Sequence, residues 1–287
     1  MSPSQPYLEE ARDAIIDAID AAQSNKPISQ YLPENIHWYF DKFGRSLRDG
    51  EAIEFATSKQ DSPARLTKET RRKLVLAATS ATLFTENVVL FGTVPEADQD
   101  RGTFQIQLAD SRKIIAPIGE HREEIVKAFN EYPHGTRVRV QGIAKVDRAE
   151  RLHSIDSVEN VTVLEELDTA ARLDELKVLK NGWFEGTGKA PPTTGLDWLA
   201  AAFESYFDLD QHLPYIFPTI DGGVRAEWSI SGHEISLDIN LSDHSAIWHS
   251  WAVGSDTEDV RKLSLDDANE WAWLGKQIRT AAGALAI

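Results

Sequence analysis

The sequence predicts an α+β fold: N-terminal helices, a central five-stranded small β-barrel of OB-like or SH3-like type, and a C-terminal antiparallel meander flanked by helices. Three observations predict it. Apolar residues recur at helical spacing in the first 85 residues. From Glu86 the period changes to two, and the order becomes strand, strand, strand, helix, strand, strand. A small barrel whose helix lies between strands three and four has that order. Near residue 165 the composition shifts, with Trp38 alone before it and seven tryptophans after it. The expected regions are therefore 1–85, 86–165 and 166–287.

The elements follow in order. Tyr7, Leu8, Ala11, Ile15, Ala18, Ile19 and Ala22 mark one helix, which Pro27 stops. A second helix is expected from Pro33, with Ile36, Phe40 and Phe43 on one face, to near Gly44. Ile53–Phe55 reads as a short strand, and Thr67–Ala78 as a basic third helix. Asn87–Val94 and Arg101–Leu108 form a hairpin, Arg112–Pro117 a third strand, and Glu120–Glu131 a helix with Ile125, Val126 and Phe129 inward. A strand beginning at Gly135 and another over Leu152–Leu164 complete the barrel. In the last region, helices are expected over Ala170–Leu179, capped by Gly182, and over Leu196–Phe207. Tyr215–Thr219 is expected at a sheet edge because of Pro218. Val224–Ile230 and Ile235–Leu241 pair across Ser231-Gly232, and Ala246–Val253 follows. Ser264 is expected to cap a final helix through Trp271 and Trp273.

Composition narrows the function. There is no cysteine, which excludes disulfides, thiolate metal sites and a Cys nucleophile. The net charge is −16, which argues against a protein that coats DNA. Residues 166–287 carry 9 basic and 20 acidic side chains, and so most of that charge. The N-terminal residues lack the basic and apolar regions of a secretory signal, and no 18-residue apolar run is present. A cytoplasmic protein without a membrane anchor is expected.

The chemical motifs fail on spacing. Gly186-Thr187-Gly188-Lys189 lacks the earlier glycine and following Ser or Thr of a phosphate loop, and Pro191-Pro192 block its helix. Asp98-Gln99-Asp100 opens like a calcium loop but has Ala109 at the twelfth position. No two histidines have the helix spacing of a zinc site, and no Gly-x-Ser-x-Gly elbow occurs. Acidic clusters such as Asp208/Asp210 and Asp256/Glu258/Asp259 read as solvated loops. No catalytic residue, metal site or cofactor is assigned, and a non-enzymatic protein is expected.

Two binding features remain. Residues 42–73 hold nine Lys/Arg against five acids. With Arg137 and Arg139 of the barrel, Arg45, Arg48, Arg71 and Arg72 are candidates for nucleic-acid binding. The other reading has these cations bridge to the acidic half. The barrel offers Phe91 and the inward-facing Phe104 as its strand aromatics. Among the tryptophans, Trp228 shares a strand face with Val224, Ala226 and Ile230 and reads as core. Trp183, beside Gly182 in a loop, and Trp273, two residues from Trp271 on a helix, are the candidate partner anchors.

Two sets of segments carry a resemblance. One is Phe43-Gly44-Arg45-Ser46-Leu47-Arg48-Asp49-Gly50-Glu51-Ala52-Ile53-Glu54-Phe55 with Gly102-Thr103-Phe104 and Gly135-Thr136-Arg137-Val138-Arg139-Val140-Gln141-Gly142. The other is Leu176-x-x-Leu179-x-x-Gly182-Trp183 with Pro218-Thr219-x-x-Gly222-Gly223-Val224-x-x-Glu227-Trp228. Together they resemble a group of uncharacterised bacterial accessory proteins, some associated with toxin–antitoxin-like gene pairs. The resemblance implies a binding protein and carries over no catalytic residue. The expected function is an antitoxin or immunity-type neutraliser of a basic cytoplasmic toxin, bound on the acidic 166–287 half. The alternative is a nucleic-acid-binding accessory protein.

Overall fold

The computed structural model describes residues 5–56, 62–77, 83–208, 210–255 and 258–283. The fold is α+β, and the chain divides into two compact units. One comprises residues 1–108 and 112–163, the other 109–111 and 164–287. The expected regions 1–85 and 86–165 thus fall in one unit, apart from the turn at 109–111 and the two residues after 163.

In the first unit, helix α1 (Gln5–Gln23) is followed by α2 (Glu34–His37) and a 3-10 turn, Trp38–Asp41. The helix expected from Pro33 to Gly44 is therefore broken. Phe40 enters the core while Phe43 stays exposed, so the two rings do not share one buried face. Strands β1 (Ala52–Phe55) and β2 (Ala64–Thr67) pair antiparallel. Helix α3 (Lys68–Leu76) starts at Thr67, whose hydroxyl accepts the Thr70 N–H at 3.1 Å. The expected end of this helix at Ala78, and Lys59 and Asp61 of the basic segment, lie outside the described residues.

The ring strands are β3 (Leu83–Asp98), β4 (Thr103–Gln107), β5 (Lys113–Pro117), β6 (Val138–Asp147) and β7 (Leu152–Val163), with α4 (Arg122–Asn130) between β5 and β6. They close into a hydrogen-bonded ring in the order β3-β4-β5-β7-β6. β5 and β7 pair parallel, and the other neighbours pair antiparallel. Long β3 serves two partners because it bends. At Gly92 a Cβ would lie 2.4 Å from the Gln107 carbonyl oxygen, and the register shifts between Thr93 and Glu96. Val94, Phe104, Ile106, Ile114, Val138, Val140 and Val161 fill the ring, and Ile125 and Ala128 of α4 close one end. Phe129 points outward, contrary to the expected inward face of this helix, because Ala128 takes the inward position.

A second core joins α1, α3 and β2 to the ring. Ile16, Ile19, Phe40, Leu66 and Leu74 pack with Phe84 of β3 and Val146 of β6. Arg71 of α3 lies inside this junction, 1% exposed. Its guanidinium donates to the Phe43 carbonyl (3.1 Å), the Thr85 carbonyl (2.8 Å) and the Asp41 carbonyl (2.5 Å). The Asp41 carboxylate in turn accepts the Thr85 N–H at 2.6 Å. Gly44 (φ +71°) passes close by, where a Cβ would lie 3.1 Å from Leu47 and Leu66 and 3.6 Å from the Arg71 side chain.

The second unit holds α5 (Thr169–Leu176), α6 (Thr193–Tyr206), β8 (Tyr215–Pro218), β9 (Val224–Ile230), β10 (His233–Ile239), β11 (Ser245–Ala252), β12 (Glu258–Ser264) and α7 (Ala268–Gly283). The antiparallel sheet runs β12-β11-β10-β9-β8, with β8 at an edge. One face packs Trp228, Leu237 and Trp248 with Leu199, Phe203 and Trp271 of the helices. Three expectations are corrected. Glu258 and Asp259 belong to strand β12, where exposed side chains flank buried Leu263, and Asp256 lies outside the described residues. Ser264 ends that strand, and α7 begins four residues later. Likewise α5 stops at Leu176, so Gly182 (φ +89°) belongs to the next loop and does not cap the helix.

Two tests follow. Arg71→Leu leaves three carbonyls and a carboxylate without their buried donor. We expect a loss of about 3–5 kcal/mol in urea unfolding, the usual cost of breaking a buried charged network. The second concerns Asp147 at the β6–β7 turn. Its carboxylate accepts the backbone N–H groups of Arg151 and Ala149 and bonds to the Arg151 and His153 side chains. These bonds, led by the Arg151 backbone, hold its pKa well below the usual carboxylate range. The stability it contributes is present above the unfolded pKa, about 3.9, and fades as pH falls toward the folded value. Thermal melts of Asp147→Asn should therefore show a smaller stability loss than wild type between pH 5 and 2.

Candidate protein-binding surfaces

The two tryptophans proposed as anchors occupy different environments. Trp183 lies in a hydrogen-bonded loop pair of the second unit. Its indole N–H donates to the Lys189 carbonyl at 2.9 Å, and its ring lies over Gly188, where a Cβ would come within 2.6 Å. The Gly182 N–H donates to the Gly188 carbonyl (2.6 Å) and the Lys189 N–H to the Ile220 carbonyl (2.8 Å). The latter bond ties the Gly182-Trp183 loop to the Thr219–Gly223 turn, so two motifs far apart in sequence meet. Within the turn, the Thr219 hydroxyl donates to Asp221 at 2.5 Å and holds its carboxyl below its ordinary range. Phe184 and Ile220 are exposed on this loop pair, and Tyr215 and Phe217 are exposed along neighbouring β8. Trp183 is thus a half-buried ring fixed by its own loop among exposed apolar neighbours.

Trp273 is engaged from both sides. Trp248 meets it edge-on at 5.5 Å, and the Arg261 guanidinium sits 4.1 Å from its ring. Arg261 is itself held by Glu270 at 2.8 Å. Trp228 is core, 2% exposed, with its N–H on the His212 carbonyl.

The first unit contains a feature that periodicity missed. Leu8, Ala11, Ile15, Ile36, Tyr39, Phe43 and Phe55 line an open groove of about 500 Å³. Its walls are α1, the 3-10 turn and β1. Leu8 is 64% and Tyr39 59% exposed. The helical spacing of α1 placed all its apolar residues on one buried face. In the structure Ile16, Ala18, Ile19 and Ala22 are buried, while Leu8, Ala11 and Ile15 border the groove. Positions 8, 11, 15, 19 and 22 form one apolar stripe at helical spacing, whose first half borders the groove and whose second half enters the core. Arg12 is the charged side chain in the lining, and it pairs with Asp13 at 2.8 Å.

The basic segment is mostly paired. Arg71 is buried, as described. Arg72 reaches Glu150 (2.6 Å) and Glu86 (3.8 Å), and Arg48 reaches Glu159 (3.9 Å). Arg65, Lys68 and Lys73 pair with Glu54, Asp49 and Glu69. These acids lie in the first unit, not in the acidic half to which bridging was expected. Arg45 is exposed on the turn after the 3-10 segment. Arg137 precedes β6 and Arg139 is its second residue.

Among the described residues no group of three His, Asp or Glu side chains is placed to hold a metal. His249 and His244 pair with Glu258 (2.6 Å) and Asp266 (2.7 Å). No helix among them is long and apolar enough to cross a membrane. No family model, curated protein or solved structure matches the chain.

The three tryptophans should separate on mutation. Trp228→Ala should cost about 3–5 kcal/mol, as large-to-small core changes do. Trp273→Ala should cost less, because one side of its ring packs on an arginine. Trp183→Ala should leave the melting temperature nearly unchanged and expose 182–190 to limited proteolysis. Equal losses in all three would show that Trp183 is core.

Proposed function

We propose that this is a non-enzymatic protein-binding protein, most concretely an antitoxin or immunity-type neutraliser of a basic cytoplasmic toxin. The groove of the first unit carries the reading. Its apolar lining, in which Arg12 is already paired with Asp13 at 2.8 Å, suits the apolar face of a partner segment, and the net charge of −16 suits a basic one. Apolar burial would set its lifetime and charge its encounter rate. Trp183 and the exposed Phe184 and Ile220 form a second candidate face on the acidic unit. Trp273, packed by Trp248 and Arg261, is the weaker anchor.

We also propose that the ring is an OB-type barrel rather than an SH3-like one. Numbered within the ring, its strands run 1-2-3-5-4 and back to 1, with strands three and five parallel and the helix between three and four. That connectivity supports the assignment.

The test is capture by the full chain from the native host, with crosslinks read by mass spectrometry. A partner rich in Lys and Arg should crosslink near residues 8–55. Ile15→Glu with Tyr39→Glu should raise its off-rate at least tenfold without lowering the melting temperature. Crosslinks confined to 166–287, with loss only on Trp183→Ala, would move the face to the second unit. An acidic partner, or none, would overturn the proposal.

A further inference from the structure

We propose that the outer face of the sheet in the second unit is a dimer interface, covered sheet to sheet by a second copy of this chain. The inference is independent of the groove and uses none of its residues.

The inward side chains of the five strands form the core with the helices. Alternation turns a second set outward, and the register lays these in rows. In one row Phe217 pairs with Arg225, Arg225 with Asp238, Asp238 with Ile247 and Ile247 with Lys262. The next row runs Tyr215, Glu227, Ser236, His249, Val260. A third runs Ser229, Glu234, Trp251, Glu258. Tyr215, Phe217, Ile247, Trp251 and Val260 are exposed, and none belongs to a core. They stand at the two sides of the face. The two rings on β8 stack at 6.5 Å on one side, and the other three residues lie on β11 and β12.

The polar groups between them are already matched. Arg225 holds Asp238 at 2.8 Å and reaches Glu227 at 3.9 Å. Glu234 accepts the Ser229 hydroxyl at 2.5 Å, and Glu258 pairs with His249 at 2.6 Å. All four carboxylates of these rows thus have a partner within the face. A basic segment gains little charge there, and a polyanion meets four acids. What the face offers is apolar surface on both sides of a satisfied polar centre.

Its own copy has the complementary pattern. Two sheets pack face to face with their strands nearly aligned, about 10 Å apart. A twofold axis along β10, the central strand, lays the β8 edge of one copy over the β12 edge of the other. Tyr215 then meets Val260, and the Phe217 ring meets the Lys262 ammonium. Ser229 meets Trp251, and Glu227 meets His249. The small Ser236 lies near the axis, where it lets the sheets approach. Glu234 and Asp238 also approach their copies, each already tied to Ser229 or Arg225. The size fits as well. Strand spacing and rise give a face of about 24 by 20 Å, so two faces bury on the order of 1,000 Å², where specific interfaces begin. A dimer of that size dissociates at micromolar concentration.

The test is sedimentation velocity of the intact chain over a wide range of concentration. Wild type should pass from monomer to dimer in the micromolar range. Tyr215→Glu with Trp251→Glu should raise the dissociation constant about tenfold or more, and Val260→Glu should weaken the dimer from the other edge. These side chains lie outside the cores, so at low concentration, where wild type is monomeric, the variants should melt as wild type does. Each copy carries −16, so the dimer should tighten as salt rises. Ile15→Glu with Tyr39→Glu should dimerise as wild type, which separates this face from the groove. A monomer at every concentration, a dimer indifferent to both sheet-face variants, or a dimer lost only on the groove variant would overturn the proposal.

Discussion

A single buried guanidinium organises the first unit. Arg71 is desolvated, and burial pushes its pKa down, although never far enough to discharge it. A charge so placed needs its donors filled. It finds the carbonyls of Asp41 and Phe43, at the exit of the 3-10 turn, and of Thr85 in β3, so that with α3 three segments meet. Each carbonyl is satisfied only when all three segments are docked. The planar fork therefore works as a register pin: α3, the turn after Asp41 and the first turn of β3 must arrive together. Asp41 reinforces this by accepting the Thr85 N–H, which lies at the β3 end that pairs with β6. The apolar junction around Phe84 and Val146 supplies the driving force, and the arginine supplies the geometry.

That junction leaves the groove open. Once the C-terminal half of α1 is committed to the junction, its N-terminal half runs past the core edge. Leu8 and Ile15 share the face of Ile19 and Ala22, so the apolar stripe continues past the core edge. The groove is thus a geometric consequence of an apolar stripe longer than the core it packs on. The 3-10 turn contributes in the same way. By breaking the expected helix, it buries Phe40 and leaves Tyr39 and Phe43 on the groove side.

Most of the strands and helices were legible in the sequence, because period two and period 3.6 are local signals. The element order around the ring was legible for the same reason. What pairs with what was not: the parallel β5–β7 closure, and the bend at Gly92 that lets β3 serve two partners, depend on contacts distant in sequence. β12 escaped notice because an edge strand with charged, exposed side chains reads as a loop. The candidate sites were less legible than the fold. A count of cations in 42–73 could not separate the buried Arg71 from the exposed Arg45, since both have the same local composition. A count of tryptophans could not separate a core ring such as Trp228 from Trp183, because both indole N–H groups meet a backbone carbonyl and the difference lies in what packs around the ring.

Net charge is a poor guide to such a molecule at short range. At physiological ionic strength the Debye length is about 8 Å. Neighbouring strands lie about 4.8 Å apart, so a few strands span more than one screening length. A bound ligand therefore responds to the side chains it touches more than to acids elsewhere in the chain. Overall acidity still acts at long range. It slows the approach of any polyanion and speeds that of a basic protein. The two effects operate at different distances, so the charge that speeds an encounter is not the charge met on contact. At the groove the contact surface is apolar, and its one charged lining residue among the described ones, Arg12, is already held by Asp13.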